Sequence, residues 1–227
     1  MTSRTGIRVF AAAAVSAAAL APAAQAATLQ QLVVFRDGSG VQKSVSSGAT
    51  TVRVGKRRCA VGKSTPLAAL IRSRVGPLKL KDYGSCSKRP GDAAGIYVAS
   101  IAKDRARGAN GWVYKVGNKV ATAGAGDPSG PFGRGKLRAG ARVTWFYCRM
   151  STRTASCQRT LGIARAGDTV TVSSYDDRGR AKPVAAATVH YAGGTAIADA
   201  NGVAQLPPGS THVWAEAPGT VRSFEER

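Results

Sequence analysis

Every cysteine in the chain, Cys59, Cys86, Cys148 and Cys157, lies downstream of an N-terminal export segment. In an oxidising compartment an even set of thiols reads as a disulfide framework, and that framework bounds what can fold here. The export reading rests on residues 1–26. Arg4 and Arg8 introduce an apolar run from Val9 to Ala21, about 13 residues where a membrane-spanning helix needs about 20. Pro22 breaks the run, and Ala24-Gln25-Ala26 supplies the small residues a signal peptidase requires. Cleavage is expected after Ala26, leaving a mature chain that is secreted, extracellular or loosely associated with the cell surface, with no transmembrane anchor. Four cysteines permit three connectivities; the pairing expected is Cys59 with Cys86 and Cys148 with Cys157, each close in sequence. No metal is expected on them, because C-x-x-C spacings are absent and the only histidines are His190 and His212.

Charge divides the mature chain. Residues 27–157 hold 24 Lys/Arg against 5 Asp/Glu, whereas residues 158–227 hold 7 of each. So sharp a break places a domain boundary after Cys157, giving a signal peptide at 1–26, a strongly basic domain at 27–157 and a neutral one at 158–227.

Within the basic stretch, Leu29 to Phe35 and Thr50 to Val54 have strand character, and Ser64 or Thr65 can cap a helix with Pro66 in its first position. Leu67, Leu70 and Ile71 then share a helical face, which Gly76-Pro77 is expected to end. Ile96 to Ile101, Trp112 to Val116 and Val143 to Tyr147 alternate as strands. Gly124 to Gly135 holds five glycines (Gly124, Gly126, Gly130, Gly133 and Gly135) with Pro128 and Pro131, and must be a loop. One helix among several strands is an α+β pattern. Beyond Cys157 the strands expected are Thr169 to Tyr175, Ala187 to Tyr191, Val203 to Leu206 and His212 to Ala215. Regular turns separate them, Asn201-Gly202 being read as a hairpin, and the sum suggests an all-β sandwich.

Two stretches resemble known families. Gly95-Ile96-Tyr97-Val98, Gly111-Trp112-Val113-Tyr114-Lys115-Val116-Gly117-Asn118 and Leu137-Arg138-Ala139-Gly140-Ala141-Arg142-Val143-Thr144-Trp145, with Thr65-Pro66-Leu67-Ala68-Ala69-Leu70 upstream, resemble a bacterial domain family related to the C-terminal domain of transcobalamin and intrinsic factor. The resemblance implies a β-grasp, ubiquitin-like fold. This chain departs from the family in carrying Ala141-Arg142 where an acidic residue is usual, and in a longer glycine-rich loop. Asp176-Asp177-Arg178-Gly179, Pro183, Val189, Ala198-Asp199-Ala200-Asn201-Gly202 and Gly219-Thr220-Val221-Arg222-Ser223 resemble the small immunoglobulin-like domains appended to bacterial surface proteins. That sandwich is expected to be incomplete, because Glu225-Glu226-Arg227 stand where a final strand would run.

Catalytic patterns fail one by one. Gly62-Lys63-Ser64 matches the end of a P-loop, but Arg57 occupies the position of its first glycine. His190 and His212 lie in strand patterns without a nucleophile elbow. The carboxylates of the basic stretch, Asp37, Asp82, Asp92, Asp104 and Asp127, mostly neighbour turn residues, and Asp176, Asp177 and Asp199 lack calcium-loop spacing. A non-catalytic protein without cofactors is therefore expected, an envelope-glycan hydrolase being the lesser alternative.

The charge supplies the leading expectation, docking on an extracellular anionic polymer or the cell envelope. Candidate anion-binding residues are Lys56, Arg57, Arg58, Lys103, Arg105, Arg107, Lys136 and Arg138, with Arg72, Arg74, Lys79 and Lys81 nearby in sequence. The alternative is a small-molecule, corrinoid-like ligand, approached by the backbone of the Gly124 to Gly135 loop. Trp112, Tyr114, Trp145 and Tyr147, with Lys115 and Arg142, could form a base-stacking platform, but alternate positions of a half-buried sheet carry such residues anyway, so core packing is expected.

Overall fold

The computed structural model describes residues 27–227; the expected export segment lies outside the described residues. The chain enters as β1 (Thr28–Val34) and returns as β2 (Gly40–Ser46). The hairpin β3 (Thr50–Val54) and β4 (Arg57–Val61) leads into α1 (Pro66–Ser73). Then come β5 (Leu78–Asp82), a 3-10 turn at Pro90–Ala93, β6 (Ile96–Ile101), β7 (Asp104–Arg105), β8 (Gly111–Val116), β9 (Lys119–Val120) and β10 (Arg142–Cys148). Five of these strands make a mixed sheet ordered β2-β1-β10-β8-β9, parallel only between β1 and β10. Two smaller sheets, β3-β4 and β5-β6-β7, close the same core.

The helix forms where its signals lie. Thr65 Oγ1 accepts the Ala68 N–H at 3.2 Å, and Pro66 takes a first-turn position where its missing N–H costs nothing. Leu67 and Leu70 are fully buried. The helix stops at Ser73, short of Gly76-Pro77, because Arg74 adopts the left-handed conformation with φ 49°. Cys59–Cys86 ties β4 to the segment after β5, and Cys148–Cys157 closes the turn after β10, the pairing expected.

Residues beyond Cys157 fold as β11 (Thr160–Ala166), β12 (Thr169–Tyr175), β13 (Ala181–Pro183), β14 (Thr188–Tyr191), β15 (Gly194–Ile197), β16 (Val203–Gln205) and β17 (Trp214–Glu216). One sheet runs β11-β12-β13 with β16 added to β12; the other runs β15-β14-β17. Val170, Val172 and Ala204 from the first meet Val189 and Ala215 from the second in one core. The described chain is thus mostly strand, in several sheets. Asn201-Gly202 is a turn but not a hairpin: β15 pairs with β14, and β16 with β12. The Asp199 carboxylate, accepting the Asn201 and Val203 N–H groups, turns the chain from one sheet into the other. A two-residue hairpin turn forms instead at Gly167-Asp168, where Gly167, with φ 60°, supplies the left-handed residue such a turn requires.

The core crosses the charge boundary. Leu32, Val34, Phe146 and Cys148 on the outer face of the five-stranded sheet are buried with Val221 and Phe224. Trp112, Tyr114, Trp145 and Tyr147 belong to the opposite, inner face, where Trp112 meets Tyr147 edge-on and Tyr114 lies 5.0 Å from Trp145. Lys115 and Arg142 are on the outer face, so the stacking platform does not assemble. Lys115 is fully buried and donates to the Tyr175 and Asp176 carbonyls at 3.0 and 2.9 Å.

Candidate functional site

The basic residues sort themselves around β5. Its pleat points Leu78 and Leu80 inward and exposes Lys79 and Lys81. On one side an open groove of about 730 Å³ is bordered by Lys79, Lys81, Arg105 and Arg107, with Tyr83 and Tyr97. On the other side a second groove of about 580 Å³ is bordered by Lys56, Arg57, Lys81 and Tyr83. Leu80, Lys81 and Tyr83 are common to both grooves, so the two run into one another across the strand.

Each cation is held by a short element. Lys56 sits at the β3–β4 turn beside Gly55, whose φ is 58°. Arg57, first in β4, lies 3.9 Å from Asp82. That carboxylate is occupied by the Gly84 and Cys86 N–H groups at 3.0 and 2.9 Å and is nearly buried, so it offsets the positive field only in part. Arg105 pairs with Ser100 at the edge of β6, and its carbonyl accepts the Tyr147 hydroxyl at 3.0 Å. Arg107 closes a turn onto Asn110. Tyr83 is 76% exposed and its ring centroid lies 6.0 Å from that of Tyr97. Burial first, then the neighbouring Tyr83 and Tyr147 hydroxyls, raise the Tyr97 pKa.

Other candidates lie elsewhere. Arg58 projects from the opposite face of the hairpin to Arg57, across from Arg53, as the alternation of a strand demands. Lys103, at the β6–β7 turn, pairs with Asp37 at 3.2 Å, and hydrogen bonds from Ser39 and then from Lys103 hold the Asp37 carboxyl down at about 2. Lys136 and Arg138 flank the buried Leu137, whose N–H donates to Ser64 ahead of α1. Tyr83 and Tyr97 were not singled out from the sequence. The signal that could have found them is the alternation Leu78-Lys79-Leu80-Lys81 leading into Tyr83, with Tyr97 two residues into the next strand.

The glycine-rich loop packs on its own protein. A side chain at Gly124 or Gly126 would collide with the carbonyls of Ala94 or Ala93, and one at Gly130 with the carbonyl of Gly135. Gly133 and Gly135 have φ of 69° and 76° and open surroundings. Ala125 accepts the Leu67 N–H at 2.9 Å, which fixes the loop to the helix start. His190 pairs with Glu216 at 3.0 Å while stacking on Trp214, and His212 pairs with Glu225 at 2.6 Å. Asp176 holds a turn: its carboxylate accepts the Arg178 and Arg180 N–H groups at 3.0 and 2.8 Å, and the Arg180 N–H first, then its guanidinium, keep it near 2. Among the described residues no cluster of His, Cys, Asp or Glu could hold a metal ion, and no helix is long and apolar enough to cross a membrane. Comparison with family models, with curated proteins and with solved structures finds no match to this chain.

Proposed function

We propose that this is a secreted, non-catalytic binding protein whose basic first domain docks on an extracellular anionic polymer or envelope surface through the twin grooves flanking β5. One observation carries the reading: Lys56 and Arg57 from the β3–β4 hairpin, Lys79 and Lys81 from β5, and Arg105 and Arg107 from β7 and the chain after it converge there around two tyrosines. A chain segment of repeating phosphates or sulfates laid across β5 would meet cations on both sides, and aromatic faces can carry sugar or base rings between charged groups. On this reading residues 27–157 are a β-grasp domain, supported by a helix crossing a sheet whose first and last strands are its parallel central pair. Residues 158–227 are an immunoglobulin-like sandwich, supported by two small sheets sharing one core. The export segment and the two disulfides fit life outside the cytoplasm.

Retention of the purified protein on isolated cell walls, measured at rising salt, tests the proposal. Retention should fall steeply with ionic strength, and K79E/K81E/R105E should lower it roughly tenfold or more at low salt. The pair K136E/R138E, equal in sign of charge change but away from the grooves, should change it roughly twofold at most. Salt-independent retention, or equal losses per charge in both variants, would defeat the reading.

A further inference from the structure

The larger of the two grooves is a channel with charged rims. β5, β6 and β7 form one ladder, so the lysines of β5 and the arginines of β7 and its extension are two strand spacings apart, about 10 Å at the backbone. Between them Tyr97 and Ala99 face outward from β6, and Ala106 and Gly108 complete a floor of mostly small residues. Ala99 is the extra residue of a bulge, lying between the pairs Lys79 with Ser100 and Leu80 with Val98. Because the bulge falls in β6, β5 keeps its alternation, and Lys79 and Lys81 stay on one face. Among the described residues lining this groove there is no carboxylate. A channel of that width encloses one extended chain; a double helix, whose major groove alone is about 12 Å across, is too wide to enter.

The lysine rim also has a pitch. Lys79 and Lys81 are two residues apart along β5, a separation of six backbone bonds that in a strand covers about 6.7 Å. A phosphodiester polymer linked through a three-carbon unit repeats as P–O–C–C–C–O–P, again six single bonds and about 7 Å when extended. Successive phosphates of such a chain fall beside successive lysines without strain, whereas longer linkers drift out of step. Nucleic acid shares the six-bond repeat but carries a base on every unit, and single-strand binders meet those bases with successive aromatic faces. Here the Tyr83 and Tyr97 rings are tilted by 58° with centroids 6.0 Å apart, which leaves no slot for a base between them.

Resting on the docking reading above, we infer that the anionic polymer is a single-chain polyol phosphate with a three-carbon repeat. It follows β5 from Lys79 to Lys81 with Arg105 and Arg107 on its other flank, then crosses the strand beside Tyr83 to reach Lys56 and Arg57. Arg57 already faces Asp82 at 3.9 Å, so about five of the six cations are left to face phosphates. The polyol hydroxyls, small beside a base or a sugar ring, suit a floor made by Ala99, Ala106 and Gly108.

Calorimetric titration of the purified protein with three oligomers of equal phosphate count is the test: 1,3-linked glycerol phosphate, 1,5-linked ribitol phosphate, whose repeat is two bonds longer, and oligothymidylate. The glycerol phosphate oligomer should saturate at roughly ten to a hundred micromolar in low salt, with each of the other two at least threefold weaker. Its log affinity should fall against log salt with a slope of roughly −3.5, the value for about five phosphates on a single strand. K81S should weaken it several-fold and reduce that slope by about 0.7, while K136S, away from the grooves, changes neither. Ribitol phosphate binding as tightly would remove the match of pitch, and oligothymidylate binding as tightly would identify a nucleic-acid site instead; either overturns the inference. No saturation by glycerol phosphate at about 1 mM, with wall retention still lowered by K79E/K81E/R105E, would overturn it too and leave the docking reading standing. Wall retention indifferent to that triple variant would remove the docking reading and this inference together.

Discussion

Lys115→Ala is expected to destabilise the protein by about 3–5 kcal/mol in chemical denaturation at pH 7, because it removes one side of a buried polar cluster and leaves the rest unpaired. Lys115 is in β8, on the face turned toward residues 158–227, and no part of its side chain reaches solvent. Its ammonium group donates to the Tyr175 and Asp176 carbonyls and to Thr160 Oγ1 at 3.0, 2.9 and 3.3 Å, with Asp177 Oδ1 at 3.8 Å. Alanine would leave those oxygens without donors and open a cavity along the lost stem. Lys115→Met retains the stem volume and should recover about 1–2 kcal/mol of the loss, the remainder measuring the polar part. Equal stability of the alanine variant and the parent would show that the oxygens find water instead.

The same lysine makes stability depend on pH in a direction unusual for a basic group. Burial lowers its pKa from 10.5 to about 8, against the pull of Asp177 and then Asp176 in the other direction. Between those two values the unfolded chain holds the proton and the folded chain has lost it, so unfolding takes up a proton and stability rises with pH. Below pH 8 both states are charged and the desolvation cost is fully present. From pH 7.5 to 9.5 the gain should be about 2 kcal/mol. Lys115→Met should lack it, and a parent protein whose stability is flat or falling across that window would refute the assignment.

How much of this was legible beforehand depended on whether a signal was local. Thr65-Pro66, the alternation at Ile96 to Ile101 and the short cysteine spacings act within a few residues, and the structure follows them. β2, β5 and β11 escaped notice because their residues are polar, glycine-bearing or half-exposed, and the partner strand rather than propensity defines them. The grooves were only half visible. Lys56, Arg57 and Arg58 read as one patch along the chain, yet a strand sends neighbours to opposite faces. Lys79 and Lys81 meet Arg105 and Arg107 only through the β5–β6–β7 ladder, a non-local pairing. Lys115 carried no sequence sign of burial at all. In Trp112 to Val116 it occupies the alternate position that a one-sided sheet leaves to solvent; here that face is covered by a chain segment 45 or more residues away.

The cover itself can be tested at Phe224. Val221 and Phe224 press on Leu32, Val34 and Phe146. Backbone pairs fix the segment on either side: Val221 with Arg159 at 2.9 Å and with Leu161 at 2.8 Å, and Glu226 with Val213 at 2.7 and 2.8 Å. Gln42 exchanges two hydrogen bonds with the Glu225 backbone at 2.9 and 2.8 Å, and Arg142 reaches both the Phe224 ring, at 5.3 Å, and Glu226, at 3.1 Å. Phe224→Ala should therefore cost about 3–4 kcal/mol from lost burial and the cavity left behind. For a chain of this size that is a fall in melting temperature of roughly 6–16 °C. If the basic and neutral segments were independent beads, calorimetry of the parent would show two transitions, and this substitution, made where they meet, would leave both nearly in place. A shared core predicts one transition in the parent, moved bodily downward or split in two by Phe224→Ala. Two unshifted transitions would mean that the seam contributes little and that the charge boundary after Cys157 is also a mechanical one.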